Sequence, residues 1–270
     1  MMLFIIIFIC SLATAALIIP MIREMLIKGR VVKKNYNNIE IPVGMGIALV
    51  PIIIINISLL IVFSQHTNER LLVFLIGILA MAFVGIIDDL MGNRDDTGFK
   101  GHIGNLLKGK LTTGGLKAVT GGMIALFISI YLKNRILLIV INTILISLMT
   151  NLLNLFDLRP GRALKVYLLL GLILFILGIT IEAKLIFVIV LGFCLVYLPQ
   201  DLKARSMLGD VGSNTLGMTL GIISAVSLSL PMKLIVVFFL LTIHIIAEKY
   251  SLTQIIKKVH ILDLLDQLGR

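Results

Sequence analysis

The sequence predicts an all-α bundle of membrane-spanning helices. Three observations carry that expectation. Of its 270 residues, 59% are hydrophobic and only 14% are charged, more apolar surface than a water-soluble domain of this size can cover. The apolar residues gather in runs of about 20, the length that crosses a bilayer as a helix. These runs do not alternate with polar residues, which excludes a β-barrel, the other architecture that satisfies its backbone in lipid.

Nine stretches qualify as spans or nearly so: 2–22, 43–63, 70–87, 117–132, 136–156, 166–181, 184–198, 212–230 and 232–247. The first resembles a signal peptide, with Ala13-Thr14-Ala15 as a cleavage-like site. It lacks a basic leading region, however, and Arg23, Lys28 and Arg30 follow it, so it reads as an uncleaved span. Residues 1–250 read as one transmembrane domain. Residues 251–270 alternate apolar and polar side chains at helical spacing and read as an amphipathic tail on the inner surface. Cys10 and Cys194 lie inside apolar runs and imply no disulfide framework. His244, alone in the ninth stretch, reads as a satisfied interior histidine.

The loops predict the orientation. Of 24 Lys and Arg residues, 19 fall in the alternate connections 23–42, 88–117, 157–165 and 199–211 and in the tail 248–270. Positive residues collect on the cytoplasmic side, which puts the amino end outside and the carboxyl end inside. The formal net charge of +10 follows from these loops. It suits membrane lipids and anionic substrates rather than a nucleic acid.

The same connections deliver acids from helix ends. The third stretch is cut off by Asp88-Asp89. Adjacent carboxylates repel and stay together where something cationic sits between them; a solvated helix end is the plainer reading of the pair. The fifth stretch ends Asn151-Leu-Leu-Asn154-Leu-Phe-Asp157. Spacings of three put Asn151, Asn154 and Asp157 in one helical sector, facing the bundle interior or a wet cleft because lipid rejects them. Asp210 stands where the eighth stretch begins and reads either as a helix cap or as a ligand, with Gly209 and Gly212 leaving space around it. Ser213, Gly217 and Gly221 recur every four residues and read as a helix-packing stripe.

Between these acids lie elements suited to phosphate. Thr112-Thr113-Gly114-Gly115 precedes a helix, whose positive end can cradle an anion, and Lys108, Lys110 and Lys117 add charge; a flexible basic loop over anionic lipid is the rival reading. Asp95-Asp96 reads as solvated, and His102 as a surface residue with no second His or Cys nearby. Arg159 and Arg162 flank Pro160-Gly161 and either hold a diphosphate or mark the inner face. Pro42, Gly44 and Gly46 form a helix-entrance turn that allows close backbone approach. Carboxylates converging from separate helices make an oxygen-rich site suited to Mg²⁺, and phosphoryl transfer needs such positioning and charge neutralisation.

Taken together, these motifs resemble the bacterial polyprenyl-phosphate N-acetylhexosamine-1-phosphate transferases (glycosyltransferase family 4, phospho-N-acetylmuramoyl-pentapeptide transferase-like). Gly85-Ile-Ile-Asp88-Asp89-Leu is similar to the family's aspartate pair, and Asn151-x-x-Asn154-x-x-Asp157 to its asparagine motif. Met207-Leu-Gly-Asp210-Val-Gly-Ser is similar to its Gly-Asp-x-Gly-Ser motif, and Ile41-Pro42 with Gly44 and Gly46 to its entrance. The resemblance implies transfer of a sugar-1-phosphate from a UDP-sugar to a polyprenyl phosphate at the cytoplasmic face of a bacterial plasma membrane, with Mg²⁺ as cofactor and UMP released. It implies catalytic roles for Asp88, Asp89 and Asp210, with Asp88 as base and Mg²⁺ on Asp210 and Asp89. It implies substrate binding by Asn151, Asn154, Asp157, Arg159, Arg162 and Lys117, and a homodimer is compatible with it.

Two departures stand out. The second Asp of the family's Asp-Gly-x-Asp-Gly continuation is replaced by the Leu158–Arg162 run, and its late His-rich loop by Glu248-Lys249-Tyr250-Ser251. They motivate an alternative: a non-catalytic or altered-substrate homologue that binds lipid phosphate or a partner enzyme. An ion-coupled transporter would carry its ionisable residues near the bilayer midplane rather than at one boundary. The compact aspartate pattern of a CDP-alcohol phosphotransferase is missing.

Overall fold

A computed structural model describes residues 2–64, 69–92, 111–132 and 135–269. Of the described residues 83% are helical, and the class is all-α. Helix α1 spans Met2–Lys28, α2 Leu49–Ser64 after a 3₁₀ turn at Met45–Ala48, α3 Glu69–Met91, α4 Thr113–Tyr131 and α5 Ile136–Phe156. Helix α6 spans Arg162–Leu177, α7 Ile181–Leu202, α8 Gly209–Ser227 and α9 Leu230–Lys249. The tail forms two short helices, α10 at Leu252–Lys258 and α11 at His260–Gln267.

Among the described residues, seven helices are long and apolar enough to cross a membrane: α1, α2 with its 3₁₀ turn, α3, α4, α5, α7 and α9. Their outward faces carry large exposed apolar side chains, such as Ile9 and Leu17 on α1, Phe83 on α3 and Phe238 on α9. Surface of this kind is stable in lipid and not in water. Of the two remaining stretches, α6 has only 16 residues, and α8 is long enough but too polar.

The polarity of α8 follows from its position. Every residue from Val211 to Ala225 is buried, because α3, α5, α6 and α7 surround it. Small residues let the neighbours close in: a Cβ on Gly217 would stand 2.5 Å from Thr150 Cα, and one on Gly221 2.9 Å from Ile146 Cα. The Ser213–Gly217–Gly221 stripe therefore packs against α5. Around this centre, α1 is tied to α7 by Ser11 Oγ, which donates to the Ile189 carbonyl at 2.5 Å.

The helix ends differ from the sequence expectation for local reasons. Thr112 caps α4 by accepting the Gly115 N–H at 3.0 Å, so that helix starts four residues before the apolar run. Gly178, with φ 87°, ends α6 a turn early, and Thr180 caps α7, which starts three residues before its apolar run. A short antiparallel hairpin, β1 (Val32–Lys34) with β2 (Glu40–Pro42), was not expected. Its turn is held by Asn35 Oδ1, which accepts the Asn37 and Ile39 N–H groups at 2.9 and 3.1 Å. The tail does not lie apart from the bundle. Buried Arg162 at the start of α6 donates from Nε and Nη2 to the Asp266 carboxylate at 2.7 and 2.8 Å.

Candidate functional site

Four helices deliver side chains to one cluster. Asp88 comes from the end of α3, Lys117 from the second turn of α4, Asn154 from the end of α5 and Asp210 from the start of α8. Lys117 Nζ donates to Asp88 Oδ2 at 2.8 Å and to Asp210 Oδ2 at 3.1 Å. The Asn154 carboxamide, oriented by its partners, accepts from Lys117 Nζ at 3.1 Å. It donates to Asp210 Oδ1 at 2.5 Å and to Ser213 Oγ at 3.2 Å. The Thr113 hydroxyl reaches Asp88, and the Asp88 and Asp210 carboxyls are within hydrogen-bonding reach of each other. Asp88, Lys117 and Asp210 expose 12%, 16% and 29% of their side chains, so the cluster is shielded from bulk solvent yet open to a ligand.

Asp89 has a different task. Its Oδ1 accepts the Asp210 N–H at 2.9 Å and its Oδ2 the Val211 N–H at 3.0 Å. A carboxylate from α3 thus caps α8, satisfying two orphan donors at the positive end of that helix. Gly209 makes this approach possible: it has φ 78°, and a Cβ there would stand 2.5 Å from Asp89 Oδ2. The entrance turn of the first loop holds the same segment. Met207 N donates to Pro42 O (2.8 Å), Met45 N to Met207 O (3.0 Å) and Gly46 N to Leu208 O (2.9 Å). A Cβ on Gly46 would lie 2.0 Å from Gly212 Cα, so only glycine fits. Above them, Lys33 Nζ on β1 donates to the Asp89 carbonyl at 3.4 Å.

Asp157 joins the same region from the cap of α5, beside the Gly209 N–H. Burial, then the like charges of Asp201, Asp210 and Asp89, push its carboxyl well above the usual carboxylate range, while the Gly209 N–H opposes that shift. Asp201, buried at the end of α7, accepts the Gly161 N–H at 2.9 Å and fixes the turn between α5 and α6.

The structure thus brings together Asp88, Asp89, Lys117, Asn154, Asp157 and Asp210. Asn151 and Arg159 are exposed and do not belong to this hydrogen-bonded cluster. Arg162 is buried and bound to Asp266 on both nitrogens of its fork, with Nη1 donating to Thr253 Oγ1 at 3.1 Å. Its role here is to anchor the tail. Asp95, Asp96, His102, Lys108 and Lys110 lie outside the described residues.

Sequence reasoning missed Lys33, Asp201 and the contact of Ser213 with Asn154. Asp201 carried the signal that singled out Asp157, an acid at the end of an apolar helix. Lys33 carried none, being one of five basic residues in its loop. Among the described residues, no three Asp, Glu, His or Cys side chains stand close enough to form a metal site on their own. The cluster instead offers the oxygens of Asp88 and Asp210 beside a lysine and a carboxamide. Such a set can take up a proton, hold a phosphate and share a cation with it. No family model and no curated protein matches this chain.

Proposed function

We propose that the chain is a divergent polyprenyl-phosphate sugar-1-phosphate transferase, moving a sugar-1-phosphate from a UDP-sugar to a polyprenyl phosphate and releasing UMP. One observation carries the reading. Asp88, Lys117, Asn154 and Asp210, from four helices distant in sequence, form one hydrogen-bonded cluster at the end of the bundle where the basic loops collect. In this reading nine helices cross the plasma membrane of a bacterium with the amino end outside, and the cluster faces the cytoplasm.

The roles follow from the contacts. Lys117 bridges the two carboxylates in the resting site and, among the described residues, is the cation placed to meet an entering phosphate. Asp88 acts as base toward the lipid phosphate. Asn154 and Asp157 face the nucleotide-sugar, Asp157 with its carboxyl raised by burial and by neighbouring acids. Mg²⁺ suits this donor set, because it takes one or two carboxylates and completes its shell with water and phosphate oxygens. The resemblance pairs Asp89 with Asp210 at the metal. The geometry favours Asp88 for that role, since both Asp89 oxygens accept backbone N–H groups. Asp88 and Asp210 would hold Mg²⁺, which would supply charge neutralisation for the diphosphate.

A second reading is a homologue that binds lipid phosphate without turnover. Lys117 favours it, because its ammonium already bridges Asp88 and Asp210 where a metal ion would bind. A panel of UDP-sugars with short polyprenyl phosphates, scored by UMP release, separates the two. Turnover that falls at least about 100-fold in Asp88→Asn and in Asp210→Asn supports the transferase. Full activity in both variants overturns the site. No turnover across the panel, with lipid phosphate still bound, supports the second reading.

A further inference from the structure

A cleft of about 900 Å³ opens between the end of α1, the β1–β2 hairpin and the turn that follows α7, and no member of the acid cluster lines it. Arg23 and Arg30 face it from the α1 side, and Lys203 and Arg205 from the far turn; Glu40 is the acid among its lining residues. Among the described residues, none of the four cations is in a salt bridge or a side-chain hydrogen bond. Four cations against one acid leave the cleft net positive, and such a cleft concentrates its field on an anion.

This cleft is built rather than incidental. Asn35 Nδ2 donates to the Ala204 carbonyl at 3.2 Å and stitches the hairpin turn to the far wall. Arg30 and Ala204, neither of them glycine, hold left-handed backbone at φ 57° and 47° on its two sides. Such conformations persist where the surroundings fix them, and they gather at ligand sites. On α1, the exposed apolar side chain of Ile27 stands beside Arg23 and Arg30 in the cleft wall.

We infer that this cleft is a second anion site, separate from the acid cluster, that binds a phosphate group. The phosphate is carried either by an anionic phospholipid, whose headgroup the exposed Ile27 would flank, or by a soluble phosphate ester. The inference stands whether or not the chain turns over a UDP-sugar.

The test uses the full chain in neutral detergent with equal phosphatidylglycerol and phosphatidylcholine, the retained lipid being read by native mass spectrometry. Wild type retains phosphatidylglycerol in preference. Arg23→Gln/Arg205→Gln weakens that preference by about fivefold per cation removed. Lys257→Gln/Lys258→Gln, in the basic tail away from the cleft, leaves it unchanged. A second arm titrates inorganic pyrophosphate. Pyrophosphate binding that the double variant loses, without any lipid preference, identifies the soluble ester as the occupant.

Wild type with neither a lipid preference nor pyrophosphate binding overturns the inference, as does a double variant that matches wild type in both arms. Should the double variant fail to fold, the wild type alone decides. Its retention falls as salt rises from about 0.05 to about 0.5 M, and a flat response overturns the site.

Discussion

Asp89 sets the position of Asp210. Its two oxygens accept the N–H groups of Asp210 and Val211 at 2.9 and 3.0 Å, so a carboxylate at the end of α3 fixes the first turn of α8. A helix-capping carboxylate replaced by alanine costs about 1–2 kcal/mol, and two donors are orphaned here. Asp89→Ala is therefore expected to lower the thermal unfolding temperature in detergent by more than Asp89→Asn, which keeps one acceptor. Equal melting of Asp89→Ala and wild type would remove the capping role.

Lys117 separates two carboxylates. Removing one partner of a shielded ion pair costs about 3–5 kcal/mol, because a charge is left without its counter-ion. Lys117→Met should destabilise the chain strongly, and Lys117→Met/Asp88→Asn should recover part of the loss. A coupling energy above about 0.5 kcal/mol in the double-mutant cycle is expected, and strict additivity would refute the pairing.

Asp157 titrates against the fold. Its folded carboxyl is raised by burial and by neighbouring acids, so the folded state holds its proton more tightly than the unfolded chain does. Stability from this group is full below the ordinary carboxylate value of about 3.9 and is lost as pH rises through the raised folded value. Asp157→Asn removes that loss. It should melt higher than wild type near neutral pH and converge with it in acid, while transfer activity falls. A constant gap between the two melting curves at every pH would count against the shift.

Two glycines give opposite expectations. A Cβ at Gly46 meets backbone at 2.0 Å, whereas one at Gly122 meets nothing within 4 Å. Gly46→Ala should disrupt the clamp on Met207 and Leu208 and lower the yield of folded protein. Gly122→Ala, inside α4, should be neutral or stabilise by up to about 1 kcal/mol. Detergent-stable yield by size-exclusion chromatography reads both, and a well-folded Gly46→Ala would contradict the packing.

Most of the fold was legible in the sequence, because span length and hydropathy are local properties. The acids were legible for a related reason: Asp88, Asp89, Asp157 and Asp210 interrupt apolar helices, and lipid makes such interruptions conspicuous. What could not be read was the division of labour among them. Asp88 and Asp89 are adjacent, yet one faces Lys117 and the other caps α8, which depends on how α3 and α8 cross. Arg162 looked available for phosphate because its partner, Asp266, lies 104 residues away. The hairpin at 32–42 was hidden because its stability comes from docking on Met207 and from the Asn35 turn, not from any alternating pattern.

The encasement of α8 bears on how the chain is made. A segment carrying Asp210, Asn214, Thr215 and Thr219 is a poor candidate for entering lipid by itself. Its burial depends on α3 and α5, and both precede it in the sequence. The helix that brings Asp210 is thus the one that most needs its neighbours in place, and the acid cluster is expected to form only once they surround it.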